Sequence, residues 1–476
     1  MTTKIINSIV IIALVTIFLG GCIPVLNNTK NENKSVPNSF VGSKDTLNIA
    51  KVKWKQYFDD PNLIALIDTA LKNNQELNIM TQEIEMSKNE IRARKGEYLP
   101  FVGLQAAAGA EKLGKYTWRG GVEDNLVLKN NPEVIESKSD YLIGANASWE
   151  IDVWKKLRNA KKVAVYKYLS SIEGKNFMIT NLIAEIANSY YELMALDNML
   201  ELLQNNMRIQ SDALRVVKEE KNAAKVSQLA VNRFEAQLLH TQNLQFEVKQ
   251  QIIETENRIN FLTARFQAPI KRNSVIFFDL ATDSIQSGVP SQLLANRPDI
   301  KQAELALSAA KLDVKVARAN FYPSIKITAG VGFNAFDPSL LINPKSLIYN
   351  LAGDLVAPLV NRNAIKANYY ISKAKQVQAV YNYEKTILNA HLDVLNQLSR
   401  MNNYEQSYNT KAKEVDILNQ SVGISNSLFQ SARADYMEVL LTQREALESK
   451  IELIEIKVKQ MNAKVQIYRA LGGGWK

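Results

Sequence analysis

The chain is 476 residues long, rich in Asn, Lys, Gln and Glu, and holds only 19 glycines and 12 prolines. Its formal charge of +10 invites nucleic acid as a partner, but Lys and Arg are scattered among acids without a basic–aromatic cluster, so a solvated helical surface accounts for them. One cysteine and two histidines, His240 and His391, exclude a disulfide framework and histidine-based zinc chemistry, and no nucleophile elbow, phosphate loop or dinucleotide glycine pattern marks an enzyme.

Residues 1–21 read as a signal peptide. Lys4 supplies a positive start, and the apolar run 9–19 is shorter than the roughly 20 residues a membrane helix needs. The run ends in Leu19-Gly20-Gly21-Cys22, which resembles the bacterial lipobox, where cleavage leaves an acylated cysteine at the new amino terminus. The plain alternative, an ordinary buried thiol, fits poorly with a sole cysteine placed directly behind small residues. Acyl chains on Cys22 hold the mature chain at a membrane surface, stably when there is more than one. Ile23 stands where an aspartate retains lipoproteins in the inner membrane, so by that resemblance the destination is the outer membrane.

Residues 22–60 form a lipidated linker, polar and proline-punctuated over 27–45. Trp54, Tyr57 and Phe58 then lead into Asp60-Pro61, an N-cap with proline at the first helical position. The helix runs to about Lys95, ahead of Leu99-Pro100. Two alternating segments follow, 101–111 and 141–152; in the second, Ile143, Ala145, Ala147, Trp149 and Ile151 alternate with Gly144, Asn146, Ser148, Glu150 and Asp152. Each is close to the roughly 9–11 residues of a membrane-crossing strand. A half-buried strand of a soluble sheet shows the same alternation, and alternation alone does not separate the two.

A helical hairpin spans about 160–266. From Ile179 the apolar residues Leu182, Ile186, Leu193, Leu196, Leu200, Leu203, Met207, Leu214 and Val217 recur at three- and four-residue steps, interrupted by Ser189 and Gln210. The run 172–221 makes a rod of about 75 Å. After a weak break near 221–227, Val231, Phe234, Leu238, Val248, Ile252, Ile259 and Leu262 continue the spacing back. So narrow a seam makes no core alone, and the rods must pack against others; a plain antiparallel coiled coil is the simplest reading of this stretch by itself.

Residues 267–290 link to a second unit, 291–476, of the same plan: a helix, strands 324–334 and 347–357, and a hairpin over 363–471 with its tip near 429–435. In 324–334, Ile325, Ile327, Ala329, Val331 and Phe333 alternate with small or polar residues. Pro100 and Pro323 are offset by 323 − 100 = 223, and Asp152 and Pro358 by 358 − 152 = 206. The difference of 17 equals that between an expected 29-residue connection in the first strand pair and 12 in the second. Ala224 and Ala432 mark the two reversals, so the chain is a duplication whose length variation falls in one strand–strand loop. Gly472-Gly473-Gly474 reads as a helix C-cap, not a phosphate cradle.

The run Gly288-Val289-Pro290-Ser291-Gln292-Leu293-Leu294-Ala295-Asn296-Arg297-Pro298-Asp299-Ile300, with Ala303-Glu304, resembles a motif of the outer-membrane efflux proteins, the TolC/OprM-like channels, in their NodT-type lipoprotein branch. Trp54…Phe58-x-Asp60-Pro61, Trp149-x-x-Asp152-x-Trp154, Ala319-x-Phe321-Tyr322-Pro323 and the closing Tyr468-x-Ala470-Leu471-Gly472-Gly473-Gly474-Trp475 match as well. The resemblance implies a mainly α chain with membrane β: four strands and long coiled-coil-like helices, trimerising into a 12-stranded β-barrel continuous with a periplasmic α-barrel. It also implies passive conduction, with a periplasmic adaptor and an inner-membrane transporter of the RND type as partners. No cofactor is expected beyond the lipid on Cys22, and no catalysis.

By the same resemblance the adaptor meets the hairpin tips, at Ala224, Lys225, Val226, Ala432, Arg433 and Ala434. The pore closes where the second hairpin supplies Arg433, Asp435, Tyr436 and Glu438, with Glu438 favoured and Asp435 second as a three-fold carboxylate ring. Family members usually carry glycine at both reversals and after the second strand, where this chain has Ala224, Ala432 and Lys155. A turn needing positive φ is strained by alanine at about 1 kcal/mol or more, so the tips read either as tighter helical turns or as reversals one residue away from Ala224 and Ala432. The alternative function, a structural coiled-coil lipoprotein without a channel, explains Cys22 and the seams but not four bilayer-length strands.

Overall fold

The computed structural model describes residues 30–40, 48–112, 114, 116–118, 138–280, 287–431 and 433–475. The signal peptide, Cys22, Ala432 and most of the connection between the first two strands lie outside the described residues. In chain order the elements are α1 (Trp54–Tyr57), α2 (Pro61–Asn73), α3 (Gln75–Tyr98), β1 (Phe101–Glu111), β2 (Lys138–Ile151), α4 (Lys156–Asn222), α5 (Gln228–Leu262), α6 (Ser291–Asn296), α7 (Pro298–Ala319), β3 (Ser324–Ala335), β4 (Leu347–Val356), α8 (Asn363–Gln430) and α9 (Tyr436–Ala470).

Asp60 caps α2 as its sequence predicts, accepting from the Asn62 amide at 2.8 Å and from the Tyr190 hydroxyl at 2.6 Å. The helix expected to run on to about Lys95 is broken at Asn74. This residue is buried, accepts from the Leu77 amide at 3.0 Å to cap α3, and donates to the last carbonyl of α5, on Leu262, at 2.9 Å. A tertiary contact therefore interrupts a helix that carries no proline or glycine at the break.

The rods α4 and α8 hold 67 and 68 residues, about 100 Å each. Neither contains proline. At the end of α4 the Lys225 amide donates to Glu220 and the Ala224 amide to Lys221, with Ala224 at φ 57°. This is a Schellman cap, in which one left-handed residue satisfies two otherwise orphaned carbonyls. The end of α5 repeats it with Ala264 at φ 53°, and the end of α9 with Gly472 at φ 90°. Lys155 and Asn361, at φ 59° and 52°, occupy equivalent corners after β2 and β4. The chain thus keeps the left-handed backbone at Ala224 and Lys155 without glycine, and the helical-turn alternative is ruled out for Ala224.

The chain divides into two compact units, each drawing on both repeats. One (1–31, 85–169 and 305–380) contains the antiparallel sheet in the order β1-β2-β3-β4 and a small cluster of Val314, Ala317, Phe321 and Tyr369. The other (32–84, 170–304 and 381–476) contains the main core, where Tyr190, Leu193 and Met194 of α4 are fully buried with Leu63 and Ile67 of α2. Tyr57 and Tyr468 stack at 4.0 Å, and their hydroxyls donate to the Lys464 and Val52 carbonyls, both at 2.6 Å. Each such buried side chain stabilises the unit by about 1.5–3 kcal/mol. The seam interruptions Ser189 and Gln210 are both buried, so the seam continues through them.

Candidate functional site

The register of the sheet sorts its side chains into two unlike faces. One carries Leu104 of β1, Ile143 and Trp149 of β2, Ile327 and Val331 of β3, and Tyr349 and Leu351 of β4. Leu104 is 91 %, Tyr349 84 % and Leu351 77 % exposed within the single chain. The opposite face carries Gln105, Asn146, Ser148, Glu150, Lys326, Thr328, Asn350 and Asp354 among glycines. Across it, Glu150 pairs in register with Lys326 and Lys326 with Asp354, at the end where β2 leads into α4. Further along, Gly144 and Gly332 face each other so closely that a Cβ on Gly144 would lie 2.7 Å from the Val331 carbonyl oxygen. Among the described residues β1 and β4 each pair on one side only and form open edges.

The strand ends are fixed by the motif residues. Asp152 is buried and accepts from the Leu157 and Arg158 amides at 3.0 and 2.9 Å, capping α4, while its own backbone carbonyl accepts from the Arg158 guanidinium at 2.6 Å. Trp154 donates to the Pro323 carbonyl at 2.8 Å and stacks on Tyr322 at 4.5 Å; Trp149 donates to the Tyr98 carbonyl at 3.2 Å. Indoles tied to backbone at a strand end suit a membrane–water boundary. Among the described residues no helix is long and apolar enough to cross a membrane.

In the second unit, the long motif's Arg297 donates to both carboxylate oxygens of Asp299 at 3.0 and 2.8 Å and to the Ala470 carbonyl at 2.7 Å, and lies 3.4 Å from Asp393. That arrangement is a clamp between the start of α7 and the end of α9.

At the tips, Ala224 and Lys225 are exposed, and Val226 is half-buried on a cluster of Leu214, Val217 and Phe234. Arg433 is exposed and Ala434 half-buried; Ala432 lies outside the described residues. Asp435 is the N-cap position of α9 but its side chain makes no capping bond, and it remains exposed, as does Glu438 in the first turn. Tyr436 packs with Leu440 on the same cluster from α4 and α5. Next to it Met437 receives Arg233 of α5, a link between the hairpins that sequence spacing does not show, because Arg233 and Met437 lie 204 residues apart.

A two-faced, four-stranded sheet and helices of 67 and 68 residues define a mainly helical chain with strands of membrane-crossing length. The outer membrane efflux protein family matches over residues 66–265 and 289–473, and the chain belongs to that family. The solvent efflux pump outer membrane protein SrpC of Pseudomonas putida is 27 % identical over 91 % of this chain and 90 % of its own. The probable outer membrane lipoprotein SilC of Salmonella typhimurium is 24 % identical over 98 % of both chains. The crystal structure of CusC, whose Escherichia coli sequence is that of a cation efflux system protein, superposes with a TM-score of 0.82 at 23 % identity, covering 94 % of this chain and 100 % of that one. The protein is an efflux component of the outer membrane with a large periplasmic part, and these relatives lend no support to a scaffold without a channel.

Proposed function

We propose that three copies of the chain close into one conduit, through which cargo leaves the periplasm passively. The carrying observation is the four-stranded sheet with two open edges, one polar face and one apolar face, both exposed in the single chain. Unpaired backbone does not persist in lipid, so the edges need partners from other copies. Two copies give eight strands, a barrel about filled by its own side chains, whereas three give twelve and an aqueous lumen. The polar Gln105–Asn350 face then lines water and the Leu104–Leu351 face meets lipid. An uncovered stripe on α5 of Leu239, Phe246 and Ile253, seven residues apart, supports helix contacts between copies as well.

In this reading Cys22 is acylated and adds a lipid anchor; fatty-acid labelling that persists in Cys22→Ser would remove that assignment. The tips at 221–227 and 429–435 meet a periplasmic adaptor, and an inner-membrane transporter of the RND type supplies the energy. Cargo belongs to the pump rather than to the conduit: SrpC serves solvent efflux and CusC cation efflux with the same plan. The test is the purified protein itself. An SDS-resistant trimer that conducts ions in planar bilayers is expected. A monomer without conductance would return the chain to the coiled-coil scaffold.

A further inference from the structure

We infer that the corners where β2 enters α4 and β4 enters α8 dock the anionic headgroups of a phospholipid leaflet, an inference that rests on the strands crossing a membrane. Residues 153–169 hold six Lys and Arg and residues 355–380 hold four, with no acid in either stretch. Taking these ten from the chain's 58 leaves 48, equal to its 48 Asp and Glu, so the two corners carry the whole formal charge of +10. The sheet register sets Ile151 and Leu355 on either side of Ile325, so both corners lie at one level. The first turns of α4 and α8 contain no acid, although the positive end of a helix disfavours cations and favours anions. At α4, Glu150 and Asp152 answer Lys156 and Arg158. At α8 the residue before the first turn is Arg362, and Lys366 closes that turn. Lys155, Lys162 and Lys366 are exposed and form no ion pair among the described residues.

Each corner also exposes apolar side chains directly ahead of its cations: Val153 and Trp154 before Lys155, and Leu359 and Val360 before Arg362. Apolar followed by basic is the order a segment takes on passing from acyl chains to headgroups, and both repeats show it. A neighbouring copy is the wrong occupant. In a ring of identical chains each level meets itself, so the basic corners of two copies would repel. Phosphodiester headgroups supply the missing sign, and each Lys or Arg close to an anionic leaflet strengthens the attraction about fivefold.

The full chain is reconstituted in bilayers of phosphatidylglycerol and phosphatidylcholine, with one of the two brominated along its chains. Tryptophan quenching then reports which lipid lies beside the strand ends, where Trp149 and Trp154 are exposed. Phosphatidylglycerol is expected to outcompete phosphatidylcholine about fivefold, and high salt should narrow that preference. Lys155→Gln, Lys162→Gln and Lys366→Gln combined bring it to parity, with ion selectivity in planar bilayers unchanged. Lys155→Arg, Lys162→Arg and Lys366→Arg combined keep it. Equal quenching by the two lipids in the unmutated chain, a preference indifferent to salt, or one that survives the glutamine variant overturns the inference and leaves the membrane strands in place. Altered ion selectivity in the glutamine variant puts the lysines in the lumen and overturns it as well. Quenching by neither lipid removes the membrane reading and the inference together.

Discussion

Arg297 is 8 % exposed, and a guanidinium in that position is tolerable only because Asp299, Asp393 and the Ala470 carbonyl surround it. Burial works against its charge, and the Asp299 and Asp393 contacts hold its pKa above the usual arginine value. Arg297→Met strips Asp299 of its partner while Asp393 keeps Arg469 at 3.3 Å, which predicts a loss of about 3 kcal/mol. Arg297→Lys recovers little of it, since one ammonium cannot meet Asp299 with two parallel bonds and also reach Ala470. Chemical denaturation is the measurement; a midpoint unchanged in Arg297→Met would show the clamp to be idle. Proline at the first position of α7 with Asp299 beside it is local chemistry that suits a helix start. It does not disclose the clamp, because Asp393 and Ala470 lie 96 and 173 residues away and no spacing rule reaches so far. Arg272 is a parallel case: Asp197, at 2.6 Å, is 75 residues distant.

The helices and strands are visible in the sequence because their periods are long and unbroken; what ends them is less so. A seam of three- and four-residue steps over α4 and strict alternation over β3 leave little choice of element. The caps are harder. Ala224 and Ala264 take left-handed backbone at positions where alanine gives no hint of it, and the Schellman bonds at Glu220 and Lys221 are what hold the first of them there. Ala224→Gly relieves strain of about 1 kcal/mol, part of which is returned as extra freedom of the unfolded chain. Slower hydrogen exchange at the last turn of α4 and the first of α5 is the expected outcome, with conductance unchanged. Ala224→Val, whose branched side chain is worse suited to positive φ, should speed exchange instead. If both substitutions leave exchange where it was, the strain at Ala224 is absent. The break at Asn74 is illegible for a different reason: its effect on α2 and α3 depends on the Leu262 carbonyl, which only the folded chain brings near.

In a three-fold conduit, the side chains nearest the axis act as rings, and the proposed constriction lies at the start of α9. The fold positions its candidates unequally. Tyr436 is committed to the cluster of Leu214, Val217 and Phe234, and so ties the second hairpin to the first. Asp435 and Glu438 remain exposed and make no capping bond or ion pair among the described residues, so their charge is free to face the lumen. Three carboxylates around a narrow axis attract cations over a distance set by the Debye length, about 8 Å at physiological salt, whatever the net charge of the chain. Cation selectivity and block by multivalent cations should therefore both fall in Glu438→Gln, and fall less in Asp435→Asn, which sits one turn nearer the solvent-filled tip. Single-channel recording in asymmetric salt reads both quantities from the same trace. Raising the salt should narrow the difference between the wild type and Glu438→Gln, because the ring acts through a screened field. Selectivity and block that survive in both single variants and in the double variant would place the ring elsewhere. The tyrosine supplies the contrast: Tyr436→Ala removes no charge, so it should raise the open probability by loosening the hairpin contact while leaving selectivity as it was.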